Sequence, residues 1–344
     1  MQKRQKDHLP QKPLLMNHYR LAAIISLLIL IVGCGTTKIN LFPDDTEPLQ
    51  EFTLQGEEEA KILLLPVKGE ISDAEREGYF RAGPSMLQEF ISQLRKAEKD
   101  KNIKAVLLKV DSPGGSVTAS DIMYNELVRY KQKTGAKIVV SMMDLAASGG
   151  YYISLPADYI MAHPTTVTGS VGALFFHFEI YGLMDKIGVG AGFYKSGKNK
   201  DMNSPLREAT EEEKILLSNI IHNMAGRFIS LVKKHRNLSP AALEEVKTAR
   251  LFVADDALKL GLVDEIGYLD KAIEHAGRIA GLGKDPQLIV YRRSTYPNDN
   301  IYNTAINELP GGQPALIDLG ALGAAAKTRA GFYYIWPGAL DRLH

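Results

Sequence analysis

The sequence has a single cysteine, Cys34, so it can form no internal disulfide and no zinc site built from clustered cysteines. It has no excess of either charge: 41 basic and 40 acidic residues leave a formal charge of +1. Nothing in that balance points to nucleic acid. It has one tryptophan, Trp336, and no internal repeat. Its N-terminal apolar run, from Leu21 to Val32, falls short of the roughly 20 residues that a spanning helix needs. What it has is length and apolar content. With 344 residues and 45% hydrophobic side chains, it can bury a large core, and its composition is not that of a disordered chain.

The N-terminus reads as an export signal. Lys3, Arg4, Lys6, Lys12 and Arg20 precede the short apolar run, which ends in Ile31-Val32-Gly33-Cys34-Gly35. The lone cysteine stands where a lipobox requires one, with cleavage before it and acylation of its thiol. Met16 offers a compact alternative start, and an uncleaved anchor helix is the competing reading. Both put the rest of the chain outside the cytoplasm and on a membrane, the lipid anchor being one partner.

The expected organisation is a signal over 1–33, a polar tether over 34–60, a catalytic domain over 61–285 and an extension over 286–344. Ile62-Leu63-Leu64-Leu65, Ala105-Val106-Leu107-Leu108 and Ile138-Val139-Val140-Ser141 read as buried strands. Helices follow each of them: one opened by Ser85, one from about Val117 to Lys131, and one after Ser148. This alternation predicts an α/β domain with parallel pairing. Thr210 and Glu213 form a capping box for a long helix. The aromatic cluster Phe332-Tyr333-Tyr334-Ile335-Trp336 near the end reads as a packing anchor.

Acyl transfer needs a nucleophile, a base and donors for the developing oxyanion. Ser148, between Ala147 and Gly149 just past a strand, fits the nucleophile, although taken alone its position reads first as an N-cap serine. Pro113-Gly114-Gly115 is a turn able to present backbone N–H groups, and also common punctuation. His163 and His177 read as structural histidines. Lys195, Lys198 and Lys200 read as a solvated basic loop, although a lysine serves as base where burial disfavours its ammonium.

Asp111-Ser112-Pro113-Gly114-Gly115-Ser116, Ala147-Ser148-Gly149-Gly150-Tyr151-Tyr152 and Thr168-Gly169-Ser170-Val171-Gly172 together resemble the signal peptide peptidase A family. Ser196-Gly197-Lys198-Asn199-Lys200-Asp201, running to Ser204-Pro205, resembles its lysine-bearing stretch, and Gly261-Leu262-Val263-Asp264-Glu265-Ile266-Gly267 a further signature. The resemblance spans roughly 60 to 280. It implies a Clp protease/crotonase-like α/β fold of repeated ββα units, oligomeric, in which half-length members form homo-oligomeric rings. It implies Ser148 as nucleophile, Lys200 as base, Gly114 and Gly149 as oxyanion donors, and Ser170 as the residue that orients the lysine. It implies no metal and no cofactor. Asn199 departs from the aromatic often found before the lysine, which leaves Lys198 in contention; Asp201 and Ser204-Pro205 favour Lys200. The implied activity is a membrane-associated serine endopeptidase acting on remnant signal peptides or other small apolar peptides on the periplasmic side of a bacterial envelope. The alternatives are an inactive ring scaffold for membrane proteins and a crotonase-like acyl-thioester enzyme.

Overall fold

A computed structural model describes residues 47–75, 83–296, 299–302 and 330–338. Cys34 and the whole 1–33 segment lie outside the described residues. The elements run in this order: β1 (Gln50–Gln55), β2 (Glu58–Lys68), α1 (Met86–Ala97), β3 (Ile103–Ser112), β4 (Gly114–Ser116), α2 (Val117–Thr134), β5 (Lys137–Ala147), α3 (Gly149–Ser154), β6 (Tyr159–Ala162), β7 (Val167–Gly169) and β8 (Leu174–Phe176). Then come α4 (Tyr181–Lys186), α5 (Glu211–His235), α6 (Pro240–Lys247), β9 (Leu251–Val253), α7 (Ala254–Leu260), β10 (Glu265–Ile266), α8 (Leu269–Ile279), β11 (Pro286–Arg292) and β12 (Gly331–Ile335).

The main sheet has the order β1-β11-β2-β3-β5-β6-β10, with β7 on the far half of β5 and β9 on β7. Pairing from β11 to β10 is parallel, and β1 is antiparallel to β11. The central strands are apolar at successive residues because both faces are covered. Leu63, Leu65, Val106, Leu108, Ile138 and Val140 face one core, with Phe90 and Leu94 of α1, Met123 and Leu127 of α2, and Phe228 and Val232 of α5. Ile62, Leu64, Ala105, Leu107 and Val139 face the other, closed by Leu269, Ala272, Ile273 and Ala276 of α8. The period-2 alternation along each strand divides its residues between the two cores.

Two helix starts follow their sequence signals. Ser85 Oγ accepts from the Gln88 amide at 3.1 Å, and Gln88 Oε1 accepts from the Ser85 amide at 3.0 Å. Thr210 and Glu213 exchange the same pair of bonds at 2.8 and 3.2 Å. Such reciprocal caps satisfy two amides that the first turn otherwise leaves unpaired.

The domain extends past both of its expected ends. β1 falls within the segment expected to be a tether, and β11 opens the segment expected to be an extension, yet the two pair with each other and β11 pairs with β2. The polar faces of β1 conceal it in sequence: it is an edge strand whose burial alternates between exposed and partly covered.

Candidate active site

β5 and β7 run parallel, with Leu145, Ala146 and Ala147 opposite Val167, Thr168 and Gly169. Ser148 is the first residue past the end of β5. Its backbone sits at φ 52° and ψ −114°, outside the regions an L-residue ordinarily occupies. Such a conformation costs roughly 1–3 kcal/mol and persists only where its surroundings impose it. Here the Ser148 amide donates to the Gly169 carbonyl at 2.8 Å, and its carbonyl accepts from the Tyr152 amide at 2.8 Å. The residue is 1% exposed. Its side chain makes no cap hydrogen bond to α3, so the N-cap reading does not hold.

Ser170 repeats the geometry on the neighbouring strand. It too is the first residue past its strand and has φ 52°, and its amide donates to the Arg250 carbonyl at 2.9 Å. Because the Ser148 amide bonds the carbonyl that precedes Ser170, the two serines are held side by side. Gly114, at φ 98°, lies against the start of α3: a Cβ added there would stand 2.6 Å from the Gly149 nitrogen and would collide with the Tyr334 carbonyl oxygen. A Cβ on Gly149 would come within 3.0 Å of the Gly114 Cα. Gly114, Ser148, Gly149 and Ser170 therefore share one site. The Gly114 amide itself donates to Ser112 Oγ at 3.1 Å, and that hydroxyl donates to the Gly69 carbonyl at 2.7 Å.

Lys200 is not part of this cluster. It is exposed, in a turn where its amide donates to the Gly197 carbonyl at 3.2 Å. Among the described residues no hydrogen bond or ion pair joins it to Ser148. The turn is nonetheless well held. Asp201 is ion-paired with Lys195 at 2.5 Å and with Arg207 at 2.8 Å, and Arg207 also donates to Glu213, the N3 residue of α5, at 2.9 Å. Lys198 is ion-paired with Glu212. Of the three loop lysines, two are thus committed to carboxylates, and Lys200, among the described residues, is in no ion pair.

Arg207 lowers the Glu213 carboxyl from its ordinary 4.5 to about 2, helped by the Thr210 amide. Arg207 first, and then Lys195, holds Asp201 well below its ordinary range. A depressed carboxylate pKa means that the contribution to stability is present above the unfolded value and is lost as pH falls toward the folded one. Hydrogen-exchange protection in 195–210, taken relative to the intrinsic chemical rate at each pH, should therefore fall as pH drops from about 4.5 to about 2. Arg207→Leu should produce the same loosening at neutral pH. Unchanged protection in that variant would show that the network does not hold the turn.

His163 bonds Thr165 Oγ1 at 2.8 Å and packs edge-on against Tyr268, while His177 lies 3.7 Å from Glu179. Neither hydrogen-bonds Ser148, in keeping with structural roles.

The sequence does not single out the apolar surround of the site. Tyr152, one turn beyond Ser148, stacks on Tyr334 at 5.1 Å and meets Phe228 of α5 edge-on at 4.8 Å. Tyr334 Oη donates to the Met224 carbonyl at 2.7 Å. The C-terminal aromatic cluster is thus a packing anchor, as expected, but its place is on the active site. The one signal for Tyr152 is its i+4 spacing from Ser148.

A family model for peptidase family S49 matches residues 130–283, and one for Clp protease matches 82–168. A putative signal peptide peptidase SppA of Enterococcus faecium is 36% identical over 260 residues, covering 75% of this chain and 75% of that protein. Protease 4 of Haemophilus influenzae is 35% identical over 243 residues, covering 70% of this chain but only 38% of that longer protein. Among solved structures, a point mutant of ClpP1 from Listeria monocytogenes aligns over 61% of this chain and 94% of its own, at 16% identity and a TM-score of 0.39. At that level the likeness carries no argument. The Clp protease match and the mixed sheet agree with the Clp protease-like fold expected from sequence. The chain belongs to peptidase family S49, the signal peptide peptidase A family, and is a serine protease of that family.

Proposed function

We propose that the protein is a membrane-tethered endopeptidase with a Ser148–Lys200 dyad, acting on remnant signal peptides and other small apolar peptides. Ser148 Oγ attacks the scissile carbonyl carbon while its proton passes to Lys200 Nζ. The oxyanion is met by the Gly149 amide, which as the first amide of α3 has no partner within the helix, and by the Gly114 amide, once it leaves Ser112 Oγ. The lysine ammonium then gives its proton to the leaving amine, and water hydrolyses the acyl-enzyme by the same steps in reverse order. Ser170, beside Ser148, accepts or donates at the lysine amine and orients it. Cys34 carries the acyl anchor, and the catalytic domain faces the periplasm.

The observation that carries this reading is the strained, buried Ser148 set against Gly149 and Gly114. The exposure of Lys200 fits a dyad completed between subunits of a ring. Leu183, Ile187, Val189 and Tyr194 are exposed in and after α4, and Ile215 is exposed at the start of α5, so the lysine turn stands amid uncovered apolar surface. Large exposed apolar side chains gathered around the turn are what a subunit interface there would cover.

A fluorophosphonate probe should attach covalently to Ser148 and to no other serine, and Ser148→Ala should not be labelled. A crotonase-like enzyme or an inactive scaffold would take no label. Failure to label, both in the whole chain and in a chain lacking residues 330–344, would sink the reading. The second chain matters because β12 lies over the site.

A further inference from the structure

We infer that β12 is a built-in occupant of the substrate groove and holds the protease in check until a peptide displaces it; this rests on the assignment of Ser148 as nucleophile. Proteins that take up extended peptides commonly add them as a strand to an exposed sheet edge, where the main chain supplies affinity and side-chain pockets supply selectivity. β4 is the edge that leads from the oxyanion glycine. On one side it is bridged by Ile71, through Ile71 N–H to the Gly114 carbonyl and Ser116 N–H to the Ile71 carbonyl, each at 2.8 Å. On the other side it pairs with β12.

β12 is the middle strand of a separate three-stranded sheet, β4-β12-β8, antiparallel to both neighbours. Its register sets Ile335 opposite Gly114, Tyr334 opposite Gly115 and Tyr333 opposite Ser116. Beyond the strand, the Trp336 amide donates to the Pro113 carbonyl at 2.9 Å. The Tyr334 carbonyl oxygen lies against both oxyanion glycines: it is within 3.0 Å of a Cβ built on Gly149, and one built on Gly114 would clash with it. A scissile carbonyl needs that neighbourhood. The Tyr334 side chain is 0% exposed, in a pocket between Tyr152 and Phe228 with its hydroxyl on the Met224 carbonyl. Backbone pairing on two sides, a carbonyl at the oxyanion glycines and a filled pocket are what a bound peptide would present. They also account for the near-complete burial of a nucleophile that must meet polymeric substrate. A peptide that binds only the open form has its apparent affinity reduced by the fraction of time the groove is free.

The experiment compares three chains: the whole protein, a chain ended after Arg329, and the whole protein with Tyr334→Gly, which keeps the strand and empties the pocket. Two readouts are taken on each: the rate of fluorophosphonate attachment to Ser148, and hydrolysis of a fluorogenic apolar peptide. Both altered chains should label faster and show a KM lower by about tenfold, the factor expected if β12 holds the groove for roughly nine-tenths of the time. A synthetic peptide of residues 330–338 should inhibit the shortened chain competitively and return it toward the whole protein's rate. If the altered chains keep their secondary structure and oligomeric size yet label and turn over no faster, β12 is a wall of the site and the inference fails while the Ser148 assignment stands. If both altered chains unfold, β12 is a structural strand and the inference fails in the same way. If no chain labels at Ser148, the nucleophile assignment itself is lost.

Discussion

Lys200→Arg should abolish peptide hydrolysis while leaving the fold and the oligomer intact. The arginine keeps the charge and nearly the length of the lysine, but a guanidinium cannot give up its proton in a protein and so cannot accept one from Ser148. Removing a general base costs on the order of a hundred- to ten-thousand-fold in rate. The loss should fall on kcat, with KM little changed, because Lys200 takes no part in pairing with an extended peptide. The network that fixes the turn should survive, since Asp201, Arg207 and Glu213 bond one another and not Lys200. Lys198→Arg is the matched control: its partner is Glu212, an ion pair an arginine can keep, so its activity should stay near that of the parent. Near-parental hydrolysis by Lys200→Arg would move the base elsewhere.

Mixing two dead enzymes should restore about one quarter of the parental activity. Ser148→Ala and Lys200→Ala are each inactive alone. Suppose the ring is built head to tail, so that each site joins Ser148 of one subunit to Lys200 of the next. A random one-to-one assembly then has an intact serine at half its sites, and half of those face an intact lysine, which gives about one quarter in a closed heterologous ring. A dyad within one chain gives zero in the same mixture. The measurement is activity after dissociation, mixing and reassembly, with native mass spectrometry to show that mixed rings formed. Mixed rings without activity would place the dyad within one chain.

Much of the fold is legible because its signals are local. The buried strands are unbroken apolar runs, the caps at Ser85 and Thr210 lie within four residues of their partners, and Ser148 falls at a strand-to-helix junction that the sequence marks with Ala147 and Gly149. What stays hidden is long-range. β1 is polar on its outer side and takes its pairing from β11, more than 230 residues away. The pocket gathers Tyr152, Phe228 and Tyr334 from three distant segments, and no periodicity links them. The backbone dihedral of Ser148, and with it the missing cap hydrogen bond, is not encoded in composition. Which of the loop lysines pairs with which carboxylate, Lys195 with Asp201 and Lys198 with Glu212, is likewise not readable from composition.

α5 carries Glu213 near its start and Phe228 two-thirds of the way along, 15 residues later. At 1.5 Å per residue they are about 22 Å apart on one stiff rod. Glu213 holds the turn that bears Lys200, and Phe228 is a wall of the pocket. A tilt of about 3° at the pocket would carry the far end by roughly 1 Å, a displacement large enough to cost a hundredfold in a positioned reaction. A poorly fitting side chain would then slow the chemistry without weakening binding. If, as proposed, Lys200 serves a neighbouring subunit of a ring, that penalty would be felt by the neighbour, and α5 would couple one pocket to the next in a single direction.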